Sequence, residues 1–145
     1  MRTLVIGVGN LLRTDDGVGI HVINRLSKLR PEVNTFDAAM GSIEILEAMK
    51  GYDRVVIVDS IETGAEPGTI YRVNLASGEK PPVITHSHGT DLPTILELGR
   101  RLYGDEMPRE IILVAVEAED TVTISDKLTK RVQEAIDDVL QSILE

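Results

Sequence analysis

The chain has 145 residues, with 42% apolar and 27% charged side chains, a net charge of −9 and no cysteine. This length suits one domain spanning 1–145 with a buried core of ordinary size. Disulfides, thiolate metal sites and a cysteine nucleophile are excluded, and the acidic balance argues against a nucleic-acid partner. No apolar run reaches the roughly 18 to 20 residues that span a bilayer. The first ten residues, MRTLVIGVGN, read as a strand rather than a signal peptide, so the expectation is a cytoplasmic protein without membrane insertion.

Strand and helix patterns alternate along the chain with short connections. Thr3 to Val8 is a near-continuous apolar run that predicts a buried strand. From about Asp16 to Leu29, Val18, Val22, Ile23, Leu26 and Leu29 recur at helical spacing, and Thr14 is the expected N-cap. Val33 to Phe36 predicts a short strand ending at Asp37. Ser42 to Met49 predicts a helix with Ile43, Leu46 and Met49 facing inward. Arg54 to Val58 predicts a buried strand ending at Asp59, and Thr69 to Val73 a more exposed one after the Pro67-Gly68 turn. A loop from Ser77 to Thr90 carries His86 and His88. Leu92 to Tyr103 reads as a helix with Pro93 in its first turn, Glu110 to Val116 as the last strand, and Ser125 to Leu144 as the closing helix. The fold class expected is α/β: a three-layer sandwich, its twisted, mostly parallel sheet of about five strands flanked by helices.

In open α/β sheets, ligands sit outside the carboxyl ends of the strands. Acids collect at those ends here: Asp15 and Asp16 after the first strand, Asp37 after the second, Asp59 after the third and Glu117 after the last. Such a pocket calls for a cation or for raised carboxyl pKa values. The bland readings stand beside this one. Asp15 and Asp16 can complement a helix dipole, Asp59 and Asp37 can cap turns, and His21 can be an ordinary helical side chain. A dinucleotide loop is disfavoured, because the third glycine of G-x-G-x-x-G would fall on Leu12 and two carboxylates would face the phosphates. In His86-Ser87-His88, alternation directs one imidazole toward a pocket. Two carboxylates and an imidazole, with positions left open, suit a borderline divalent metal and a substrate ligand.

Four segments occur in a fixed order: GVGNLLRTDDGVG at 7–19, VVIVDSI at 55–61, PGTIYRV at 67–73 and SHGTDLPTIL at 87–96. Together with LVAVEAED at 113–120 they resemble the hydrogenase maturation endopeptidases over essentially the whole chain. The resemblance implies an α/β peptidase that removes a C-terminal peptide from the large-subunit precursor of a nickel-iron hydrogenase once nickel is inserted. The family's metal-binding residues carry over to Asp16, Asp59 and His88, which are therefore the expected catalytic and metal-contacting residues. The nickel would arrive with the precursor, so no resident cofactor is expected. The expected partner is the nickel-loaded precursor, with the enzyme as a monomer. An aspartic-type variant, with Asp16 and Asp59 acting directly on water, stays open. So does a non-catalytic nickel-sensing or chaperone module with the same ligands. Two features depart from the family pattern. Asp37 to Ser42 lacks the Gly-rich stretch ending in Gly-Thr that many relatives have, and His86 has no clear family counterpart.

Overall fold

A computed structural model describes residues 1–39, 43–82 and 92–145. Five strands form one sheet in the order β2-β1-β3-β5-β4. They are β1 (Thr3–Val8), β2 (Asn34–Ala38), β3 (Arg54–Ile61), β4 (Ile70–Asn74) and β5 (Glu110–Glu117). The pairs β1–β2, β1–β3 and β3–β5 are parallel, and β4 runs antiparallel along the edge of β5. The helices are α1 (Val18–Leu29), α2 (Glu44–Met49), α3 (Leu92–Tyr103) and α4 (Lys130–Leu144). A 3-10 turn over Thr14–Gly17 leads into α1.

Parallel strands covered on both faces must be apolar on both, and alternation sorts their side chains into two cores. Leu4, Ile6, Val55, Ile57, Ile111 and Leu113 pack with Ile45, Leu46 and Met49 of α2 and Leu96 of α3. On the opposite face, Val5, Val56, Val58, Ile112 and Val114 pack with α1 and α4. The three-layer α/β expectation therefore holds, including five mostly parallel strands.

Several boundaries differ from the sequence expectation, each for a physical reason. Strand β3 does not stop at Val58, because Asp59, Ser60 and Ile61 continue the ladder against Ala115, Val116 and Glu117. Likewise β2 runs through Asp37 to Ala38, beside Gly7 and Val8 of β1. Ile43 is exposed at the N-cap of α2, and Ile45 takes the inward position expected of it. Helix α4 begins at Lys130 rather than Ser125, because Ser125 is held in a parallel bridge to Arg13. Thr14 is not an N-cap. Its φ is 52°, its hydroxyl donates to the Thr123 carbonyl at 2.5 Å, and Gly17 occupies the cap position of α1. Helix α3 matches its expected bounds. Among the described residues, no helix is long and apolar enough to cross a membrane.

Candidate active site at the β1/β3 switch point

The chain leaves β1 toward β2 on one side, while β3 lies on the other. The carboxyl ends of β1 and β3 thus form the crevice where open α/β sheets take their ligands. Helix α1 comes unusually close to this point. A Cβ at Gly19 would stand 2.3 Å from the Val58 carbonyl oxygen and 2.7 Å from that of Val8. Only a residue without a side chain lets the helix start between the two strand ends. Gly9, at φ 140°, plays a comparable part in the loop: a Cβ there would lie 1.9 Å from the Asp16 carbonyl oxygen.

Those approaches place Asp16 in the crevice with 1% of its surface exposed. Its Oδ2 accepts the backbone N–H of Asn10 at 3.0 Å, and its Oδ1 accepts the Ser60 hydroxyl at 3.4 Å. Ser60 follows Asp59, which is 7% exposed and accepts the Ser60 N–H at 2.7 Å. By strand alternation Asp59 shares the sheet face of Ile57 and Ile61, which packs against α3. Helix α3 starts at Leu92, directly after the segment 83–91, and Leu92 itself packs on that face. His86 and His88 lie in 83–91, outside the described residues. Asp16 thus bonds the residue that follows Asp59 at the strand ends, and the third expected site residue lies outside the described residues.

The other acids of the expected pocket go elsewhere. Asp15 is fully buried in the first turn of the 3-10 segment that leads into α1. Its carboxylate accepts the N–H groups of Glu119, Asp120 and Thr129 at 2.9, 3.1 and 2.8 Å, and the Thr129 hydroxyl at 2.8 Å. Adjacent acids therefore have separate duties: Asp15 fastens the loop between β5 and α4, and Asp16 faces the crevice. Glu117, also buried, accepts the Thr63 N–H at 2.9 Å, the Thr63 hydroxyl at 2.6 Å and the Tyr71 hydroxyl at 3.4 Å. It fastens the β3–β4 connection. Asp37 is exposed on the edge strand β2. His21 is partly buried in α1, as its helical position suggests, and its Nε2 is buried without a hydrogen-bond partner. Among the described residues, no three His, Asp or Glu side chains form a group able to hold a metal ion.

Sequence reasoning overlooked Ser60 and Asn10. The only local sign of Ser60 is its place directly after Asp59, and the Asn10 contribution comes from its backbone, which any residue but proline would supply.

Residues 20–145 match the model of a family described as hydrogenase maturation protease. The hydrogenase 2 maturation protease of Escherichia coli K12 is 28% identical over 155 aligned positions, covering all of this chain and 92% of the relative. A putative hydrogenase maturation protease of Methanocaldococcus jannaschii is 26% identical, covering 97% of this chain and 93% of its own length. Among solved structures, the E. coli hydrogenase maturating endopeptidase HybD superposes with a TM-score of 0.78 at 29% identity, covering 99% of this chain and 90% of that one. HybD from Thermococcus kodakarensis, at 19% identity and a TM-score of 0.77, shares the fold. The chain belongs to the hydrogenase maturation protease family.

Proposed function

We propose that this protein is the endopeptidase that removes the C-terminal peptide from the large-subunit precursor of a nickel-iron hydrogenase after nickel insertion. The observation that carries the reading is the pairing of Asp16 with the Asp59-Ser60 segment at the β1/β3 crevice, in a chain of this family. Both carboxylates are nearly buried, and burial of two acids at one strand-end crevice favours a cationic visitor.

In this reading the nickel belongs to the substrate, and the enzyme has no resident cofactor. Asp16, Asp59 and His88 contact that nickel and set the scissile peptide beside it. Oxygen and imidazole donors suit such a borderline metal. The crevice then recognises a mature metal centre before any bond is cut. Proximity and orientation contribute to the rate, since a held peptide bond reacts as an intramolecular neighbour. Bound nickel polarises the carbonyl or water next to it, and Ser60 and the Asn10 N–H keep Asp16 aimed.

The test is cleavage of purified precursor with and without nickel, read as the C-terminal mass. The reading expects shortening of the nickel-loaded form alone. Equal shortening of both forms would remove nickel from the account, and no shortening of either would remove the protease assignment for that precursor.

A further inference from the structure

Four large apolar side chains stand out in solvent on two loops next to the crevice. Leu11 and Leu12, between β1 and the Thr14–Gly17 turn, are 36% and 60% exposed, while Val122 and Ile124, between β5 and α4, are 76% and 85% exposed. The two loops are stitched together. Arg13 and Ser125 form a parallel bridge, with the Thr14 N–H bonded to the Ser125 carbonyl at 2.9 Å and the Ser125 N–H to the Leu12 carbonyl at 3.0 Å. That bridge sets the backbone of Leu12 beside that of Ile124.

The loops are also held from within. The Asp120 carboxylate accepts the Val122 and Thr123 N–H groups at 2.9 and 3.0 Å, Arg13 Nε donates to the Thr121 carbonyl at 3.0 Å, and the Leu12 N–H donates to Asn10 Oδ1 at 2.9 Å. Apolar side chains on a loop this well tied lose little freedom on binding. A clustered, exposed apolar patch marks an interaction site far more often than single exposed residues do.

We propose that this Leu11-Leu12/Val122-Ile124 patch is the docking surface for an apolar face of the large-subunit precursor, beside the segment to be cut. The proposal rests on the function proposed above and identifies the surface that receives the partner. Continuity with the crevice selects the occupant. The Leu11 Cα would lie only 2.8 Å from a Cβ at Gly17, so its backbone rests on the turn that carries Asp16. Asn10, next to Leu11, bonds the Asp16 carboxylate, and Asp15 clamps the second loop. Patch and acids are parts of one hydrogen-bonded unit, so a protein presenting a metal to Asp16 meets Leu11 and Leu12 as it arrives.

The test is steady-state cleavage of nickel-loaded precursor by the Leu12→Ser/Ile124→Ser double variant. KM should rise at least tenfold, with kcat within twofold of wild type. Leu12→Met/Ile124→Val should keep the wild-type KM, as should Leu29→Ser, which removes an exposed leucine at the far end of α1. An unchanged KM in the double serine variant overturns the proposal. So does a wild-type dimer in sedimentation that the double variant turns into monomer at unaltered KM, because the patch then serves a second copy. If wild type binds precursor without cutting it, the protease reading fails, and a Kd raised tenfold or left unchanged in the double variant supports or overturns the docking surface. If wild type neither binds nor cuts, both fall.

Discussion

The Ser60 hydroxyl donates to Oδ1 of Asp16 at 3.4 Å, joining the end of β3 to the loop that follows β1. Asp59, beside Ser60 in β3, accepts the Ser60 N–H. Removing the hydroxyl by Ser60→Ala should leave the fold unaltered and take one hydrogen-bond donor from Asp16 Oδ1. For a long hydrogen bond the loss is at the low end of roughly 0.5 to 1.5 kcal/mol, so kcat on precursor should fall about threefold. Thermal denaturation of the same variant should stay within a few degrees of wild type.

Asp15 and Asp16 should separate cleanly by measurement. Asp15→Ala strips an acceptor from three backbone N–H groups and one hydroxyl. Orphaned buried donors cost about 1 to 3 kcal/mol each when water does not replace the acceptor. A loss of roughly 3 kcal/mol or more is therefore expected in urea denaturation, with Asp15→Asn intermediate. Asp16→Asn should retain nearly wild-type stability and lose cleavage. The opposite ranking would exchange the duties assigned to the two acids.

The glycines at the crevice give a third expectation. A Cβ in Gly19→Ala would collide with the Val58 and Val8 carbonyl oxygens, backbone atoms that cannot rotate away. Helix α1 would have to lift from the sheet, at a cost of about 1 to 3 kcal/mol or more. Gly9→Ala would press on the Asp16 carbonyl from a positive φ. Both variants should melt lower than wild type, and Gly9→Ala should also lose cleavage.

Acid should loosen the loop between β5 and α4 through Asp120. The Thr123 side chain, then the Thr123 and Val122 N–H groups, hold its carboxyl below the usual aspartate range. A depressed native value means that the stabilisation is fully present above the unfolded-state pKa and is lost as pH falls through the folded one. Amide exchange of Val122 and Thr123 should accelerate in that acid window relative to amides in β3. Asp120→Asn should abolish the pH dependence of this difference.

Much of the frame was legible in the sequence, because its signals are local. The apolar runs of β1, β3 and β5 announce strands buried on both faces, and the spacing in α3 gives its bounds. The strand-end rule and the family resemblance together point to Asp16 and Asp59 as candidates. What escaped depends on distant partners. Nothing near Asp15 reveals that its carboxylate binds residues 104 to 114 positions later, and nothing near Thr14 shows that it serves Thr123 rather than a helix end. Strand β3 was expected to end at Val58 because Asp59 and Ser60 are polar, yet pairing with β5 carries it three residues further.

The most direct measurement is the C-terminal mass of nickel-loaded large-subunit precursor after incubation with wild type and with Asp16→Asn, Asp59→Asn, His88→Ala and His86→Ala. Wild type and His86→Ala should release the C-terminal peptide, and the other three, folded by circular dichroism, should leave the precursor at full mass. Full activity of His88→Ala alongside loss in His86→Ala would contradict the histidine assignment. Full activity of Asp16→Asn or Asp59→Asn would contradict the account at its centre.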